Sequence, residues 1–254
     1  MNYKLFAPLL LLVVAACTIP PGQKSGFRPV VAGSERTVIN APVFNNTETK
    51  RVVFHDVSDL QEYSWFRAKN GARAEFDYAE LALLGRYHGY LQLTDTLNMM
   101  VKRWKYFNGK QLVFSKAYWQ ELPWNVGGWV KPFQAKSGGV TTGCIAVSFD
   151  WDPSQDDAEG RTTKALFGYL CGKPGEAVPP AMLTSWVESL GIRGISQPGP
   201  ENLLQSGPLP PLDRQNSLKA LATGMDPAFD GGNSGFPFFF ARYYSTGGDR
   251  AWDD

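Results

Sequence analysis

Histidine and cysteine are scarce in this chain, which contains 2 histidines and 3 cysteines among 254 residues. The two histidines occur in no HExxH or His-x-His spacing, so we expect no zinc site and no other cofactor. A surplus of either charge is also missing, because 25 basic residues face 24 acidic ones. Binding to a phosphate backbone needs an excess of lysine and arginine, so we expect no nucleic-acid partner.

The chain also has no apolar run long enough to cross a bilayer as a good transmembrane helix. Its N-terminal run, Leu5–Val14, contains ten apolar residues, whereas a spanning helix needs about 20. Lys4 precedes this run, and Ala15-Ala16-Cys17 and a Pro-Pro-Gly sequence follow it. This order of charge, short apolar core and small residues is typical of a signal peptide, which we assign to residues 1–16.

The residues Val14-Ala15-Ala16-Cys17 resemble the lipobox of bacterial lipoprotein precursors, and the resemblance covers the first seventeen residues. It implies cleavage before Cys17, which would become the first residue of the mature chain and carry a diacylglyceryl group. Two or more acyl chains anchor a protein stably to a membrane. Thr18 occupies the position where aspartate favours inner-membrane retention. The resemblance therefore implies a bacterial envelope protein in the outer membrane, facing the periplasm.

The remaining composition predicts one globular domain behind a tether. Residues 18–33 are rich in proline and glycine and have no periodic apolar face, which is typical of a flexible linker. We therefore predict a lipid-anchored flexible tether at 17–45, a single folded domain at 46–246 and a frayed tail at 247–254. A content of 43% apolar and 19% charged residues is ordinary for such a domain.

If Cys17 is lipidated, Cys144 and Cys171 are the two cysteines that remain. Paired cysteines are usual in exported proteins, so we predict a disulfide between them. Cys144 lies in a run rich in strand-forming residues, and Cys171 ends a segment whose pattern predicts a helix closed by Gly172. The bridge should then join a strand to the end of a helix.

Helix and strand patterns are mixed along the chain without regular alternation, which predicts an α+β fold. Ser58-x-x-Gln61 has the spacing of a capping box and predicts a helix through about Lys69. Further predicted helices cover the later half of 72–93 and about 94–104, 161–170, 180–190 and 218–223. Predicted strands include 51–55, 111–115 and the Cys144 segment.

A catalytic set is hard to find in this sequence. Gly232-Asn-Ser-Gly-Phe-Pro237 resembles the Gly-Asp-Ser-Gly-Gly-Pro signature of chymotrypsin-like serine proteases, but two positions differ and twenty residues remain after it. Neither His55 nor His88 lies in that family's histidine motif. A hydrolase or transferase that uses His55 or His88 with a carboxylate remains an alternative.

An aromatic segment is the clearest candidate for binding. Flat rings on loops stack against sugars or contact partner proteins, and rings of this kind also fill cores. If the rings are exposed together, the segment is a binding site for polysaccharide or protein. The candidate residues are Tyr118, Trp119, Trp124, Trp129 and Phe133.

These observations predict a lipid-anchored accessory or binding protein of the bacterial envelope without catalytic activity. Its expected partners are the membrane, through Cys17, and envelope proteins or polysaccharide. Besides the enzyme named above, a second alternative is an assembly subunit whose aromatic segment docks into an export or polysaccharide machine.

Overall fold

The computed structural model describes residues 26–30, 33–45, 47–55, 60–80, 94–122, 126–153 and 162–193. These residues form eleven strands and two α-helices, with single 3-10 turns at Pro42–Phe44 and Lys105–Phe107. The strands are β1 Gly26–Pro29, β2 Thr37–Ile39, β3 Glu48–His55, β4 Leu60–Arg67, β5 Arg73–Glu80, β6 Gln111–Phe114, β7 Tyr118–Glu121, β8 Gly127–Ser137, β9 Val140–Pro153, β10 Thr162–Cys171 and β11 Leu190–Ile192. The helices are α1 Thr94–Arg103 and α2 Pro180–Glu188.

A nine-stranded antiparallel sheet is the frame of the described structure. Its strand order is β1-β3-β4-β5-β10-β9-β8-β6, and β7 pairs with β8 beside β6. The strand β1 therefore lies at one edge, and β6 and β7 share the other edge. A separate antiparallel pair joins β2 to β11.

Both faces of the large sheet are covered. On one face, here called the α1 face, Leu97, Val101 and Trp104 pack against rings of β10 such as Tyr169. On the opposite α2 face, Leu183, Trp186 and Val187 of α2 pack with the β2–β11 pair. Two apolar layers therefore enclose the central strands, of which β4 and β5 are buried at almost every position.

The predicted α+β class is wrong, because the described chain is mainly antiparallel β. The predicted helices at 58–69 and 161–170 are the strands β4 and β10. The run in β10 is nearly continuously apolar because the strand is buried on both faces, and such a run also fits a buried helix. At β4 the helix prediction came from the capping-box spacing of Ser58 and Gln61, but Gln61 lies buried within a strand. The helix predictions near 94–104 and 180–190 are confirmed by α1 and α2.

The predicted disulfide is present, but the elements that it joins were predicted wrongly. The Sγ atoms of Cys144 and Cys171 are 2.04 Å apart. The two residues are directly opposite each other in the register of β9 and β10. The bridge therefore connects two neighbouring strands, because the segment that ends at Cys171 is a strand and not a helix. Both cysteines are fully buried on the α1 face.

The strands β1 and β2 lie within residues 17–45, the range for which the sequence predicts a tether. A buried carboxylate contacts the backbone of this range from the α2 face. The amides of Arg36 and Thr37 donate to Glu62 at 2.9 Å and 3.2 Å. Burial raises the pKa of Glu62, and these two amides together with Arg51 oppose the rise. The first described strand begins at Gly26. Hydrogen bonds from the backbone of Arg36 and Thr37 to Glu62 connect this N-terminal range to the large sheet.

Candidate functional site

The β7–β8 hairpin presents two tryptophans on the α1 face of the sheet. Trp119 and Trp129 are directly opposite each other in the strand register, so their side chains leave the same face. They are 52% and 37% exposed. Their ring centroids are 5.6 Å apart and their planes meet at 86°. We call these two residues the tryptophan corner.

A glycine makes this arrangement possible. A Cβ atom added to Gly127 would lie 2.4 Å, 2.7 Å and 2.8 Å from three atoms of the Trp119 indole. The Trp119 ring therefore lies across the bare Cα of Gly127, which supports one face of the ring. Half of the side chain remains open to solvent.

Polar side chains surround the tryptophan corner on the same face. Ser148 of β9 is directly opposite Trp129, and Lys131 lies two residues along β8. Glu121 stands two residues from Trp119 on β7. The Lys131 ammonium lies over the Phe114 ring, 5.6 Å from its centroid. A ligand on the two indoles would therefore meet the Ser148 hydroxyl and the Glu121 carboxylate.

The five aromatic residues predicted as a binding segment do not form one patch. The Tyr118 hydroxyl lies 3.1 Å from the Thr184 hydroxyl, which ties β7 to α2. Phe133 is buried, with its ring centroid 5.3 Å from those of Phe107 and Phe114. Trp124 lies outside the described residues. Period-two alternation puts Tyr118 and Trp119 on opposite faces, whereas Phe133 shares the α1 face with Trp129 and is buried because Phe107 and Phe114 pack against it.

Several other predicted residues fall outside the described part of the chain. Cys17, His88 and the segment 232–237 are among them, and of His55 only the backbone, at the end of β3, is described. Within the described ranges, no group of three histidines, cysteines or carboxylates is arranged to hold a metal. No helix in those ranges has the length and apolar character needed to cross a membrane.

A groove of about 560 Å³ runs between the β8–β9 hairpin and the segment that leads into α2. Its lining is mixed, with apolar Pro132 and Val178 beside the hydroxyls of Ser115 and Thr141. Glu176 is the one titratable residue among the described residues that line it.

Sequence reasoning missed a buried polar network under α1. Glu75 is fully buried and accepts hydrogen bonds from Tyr63 at 2.6 Å, from Arg73 at 2.8 Å and from Tyr169. The Arg73 guanidinium also stacks on the Tyr106 ring, 3.8 Å from its centroid. Burial raises the pKa of Glu75, and Arg73 and the two phenols oppose the rise. Because its hydrogen-bonding partners shield the Glu75 carboxylate from solvent, we infer that the network contributes to the stability of the fold.

A second buried carboxylate lies next along the same strand. Asp77 is fully buried and accepts a hydrogen bond from Gln61. Its Oδ1 atom has no hydrogen-bond partner in the part of the chain that the structure describes. Burial raises the pKa of Asp77 well above its usual range; the Gln61 hydrogen bond opposes this rise and the charge of Glu62 adds to it.

The raised pKa of Asp77 predicts a stability that falls with pH. The folded state holds this proton more tightly than the unfolded state, whose aspartate pKa is about 3.9. The stabilisation by protonated Asp77 is therefore complete below about pH 4 and is lost as pH rises through the folded pKa. Asp77→Asn removes the titrating group, while the amide oxygen that it introduces can still accept from Gln61. We expect urea unfolding between pH 4 and pH 8 to show a smaller loss of stability in this variant.

The matched control for this pH experiment is Asp152→Asn. Asp152 is exposed, and its ion pair with Lys164 at 2.6 Å should contribute little to stability, so this variant controls for the loss of one carboxylate charge. Parallel pH curves for Asp77→Asn and the unchanged protein would show that Asp77 does not titrate as inferred.

Compared with protein-family models, with curated proteins and with solved structures, the chain gives no match. Function must therefore be argued from the residues and their geometry. Among the described residues, the tryptophan corner is the strongest candidate binding site, because two large rings in contact are exposed to solvent there.

Proposed function

We propose that this protein is a lipid-anchored, periplasm-facing binding protein of the bacterial cell envelope that acts without catalysis. The tryptophan corner carries the binding part of the proposal, since large aromatic rings are usually withdrawn from water unless they serve contact. The lipobox-like residues that end at Cys17 support the anchor and the location.

The disposition of the carboxylates supports a role without catalysis. Glu62 and Glu75 are occupied by hydrogen bonds from surrounding backbone or side chains. Asp77 lies fully buried in the same strand as Glu75. A catalytic carboxylate has to reach substrate, and these three are closed off by the packed layers on the two sheet faces.

The proposal predicts that an envelope component lies against the tryptophan corner in intact cells. A photo-crosslinking amino acid at Glu121, beside the corner, should form adducts in the full-length chain in its bacterial host. The same amino acid at Glu188, exposed on α2, should form far fewer. Adducts are measured by a mobility shift after irradiation. Equal yields at the two positions would contradict the assignment of the binding surface.

The anchor is tested in the same cells with Cys17→Ser. Without the thiol there is no acceptor for the diacylglyceryl group, so this variant should incorporate no radiolabelled lipid and should leave the membrane fraction. The Glu121 adducts should then fall in yield, because the domain is no longer held at the membrane. A Cys17→Ser chain that still incorporates lipid would defeat the anchor.

A further inference from the structure

The exposed area of the tryptophan corner limits what it binds. An indole side chain presents up to about 250 Å², so the exposed fractions of Trp119 and Trp129 leave about 200 Å² in contact with solvent. A stable protein interface needs about 800 Å² from each partner. The other large apolar side chains that are exposed in the described chain are Met99, Val113, Val140 and Met182.

None of these four side chains belongs to the β7–β8 hairpin that carries the corner. Val113 is opposite Gln134 in the register, which places it on the α2 face of the sheet. Val140 begins β9 after the β8–β9 turn, and Met99 and Met182 lie on the two helices. The exposed apolar area of about 200 Å² that the described residues present at the corner is too small for a protein surface or a second copy of this chain and suits one or two small flat rings.

The chemistry of the corner favours sugar rings over other flat groups. The face of an indole is negative and attracts the partly positive axial C–H groups of a pyranose. Because the two planes are perpendicular, a sugar stacked on the open face of Trp119 would abut Trp129. Ser148 can hydrogen-bond its hydroxyls, as can the Glu121 carboxylate.

The charges around the corner favour a neutral ligand. A quaternary ammonium ion also binds tryptophan faces, but the positive charge of Lys131, which lies over the Phe114 ring on the same sheet face, opposes it. A strongly acidic polymer would in turn meet Glu121. The whole chain has 25 basic and 24 acidic residues and offers no broad field that would attract either one.

We propose that the tryptophan corner binds the pyranose rings of a neutral polysaccharide. This inference rests on the proposed function and names the ligand class of that site. Glycan strands of the cell wall and free β-glucans share the chemistry that the corner recognises. Linked rings let one chain offer many equivalent contacts to a small site.

The strand order separates this site from the anchor. The strand β1 follows Cys17 by nine residues and lies at one edge of the sheet, whereas β7 lies at the other edge. Seven strand spacings separate the two edges by about 34 Å. The tryptophan corner therefore lies at the sheet edge opposite the strand that follows the proposed anchor.

Binding to two glycan preparations tests the proposal on the full-length lipidated chain in detergent. One probe is insoluble cell-wall glycan with its cross-linking peptides left in place, so that its lactyl carboxyl groups stay amide-linked, measured by co-sedimentation. The other is a soluble β-linked glucose oligosaccharide, measured by calorimetry. Removing both rings with W119A/W129A should weaken binding about tenfold or more, because stacking contributes on this scale for each ring. Binding to one probe alone identifies the source of the polymer.

Two further variants separate a specific loss from general damage. Gly127→Ala keeps both indoles but places a methyl group where the Trp119 ring lies, so it should weaken binding as well. The double variant V113A/M182A removes exposed apolar side chains elsewhere and should bind like the unchanged protein. Unchanged binding by W119A/W129A, or binding of neither probe by the unchanged protein, would overturn the proposal. If the Glu121 adducts persisted in that case, the proposed function would stand and the ligand class would fall.

Discussion

Replacing Glu75 by alanine should lower the free energy of unfolding by about 3–5 kcal/mol, the usual cost of removing one member of a buried ion pair. The Arg73 guanidinium, 8% exposed, would lose its carboxylate partner. Two phenols, Tyr63 and Tyr169, would lose an acceptor in a region closed by α1. Urea unfolding followed by tryptophan fluorescence measures the change.

Two comparisons show whether this loss comes from the buried network. Glu48→Ala makes the same chemical change in an exposed pair with Lys50 at 3.1 Å and should alter stability little. Glu75→Gln keeps an acceptor for one phenol and should lie between the alanine variant and the unchanged protein. A Glu75→Ala protein as stable as Glu48→Ala would show that the network contributes nothing to folding.

Removing the disulfide should have the next largest effect on stability. Cys144 and Cys171 are 27 residues apart in sequence. Closing a loop of this length restricts the unfolded chain by about 3–4 kcal/mol in the loop-entropy model. The double variant Cys144→Ala/Cys171→Ala should be less stable by that amount in denaturant unfolding.

Reductant provides the control for the disulfide prediction. The bridge is fully buried, so a reducing agent should reach it after unfolding and lower the refolding midpoint of the unchanged protein. The double variant, which has no bridge, should unfold identically with and without reductant. If the variant and the oxidised protein had the same midpoint, the bridge would contribute no net stability.

Local patterns were sufficient for some elements and not for others. The α1 helix was predictable because Leu97, Val101 and Trp104 recur with helical spacing and the opposite side is polar. The strand β10 was predicted as a helix because Ala165–Cys171 is buried without interruption. A strand between two neighbours in a covered sheet loses its alternation, so periodicity cannot identify it.

The sequence pattern of β5 does not reveal that its polar side chains are buried. Polar and apolar residues alternate along β5: Arg73, Glu75 and Asp77 alternate with Ala74, Phe76 and Tyr78. Such alternation normally indicates a strand with one face exposed to solvent. Here the polar face is covered by α1 and its 3-10 turn. What made this burial tolerable is a set of partners contributed by β4 and β10, which are distant in sequence.

The sequence by itself determined the pairing of Cys144 with Cys171, the two helices and the aromatic character of the β7–β8 segment. It also carries the lipobox-like residues on which the proposed anchor depends. Tertiary structure decided which rings face solvent, because exposure depends on the layer above each face. Tyr118 is drawn towards α2 and Phe133 lies beneath the 3-10 turn, while nothing in the described chain covers Trp119 and Trp129. The alternation of residues along a strand specifies which face each side chain leaves. Only the elements that pack on that face determine whether it is shielded from solvent.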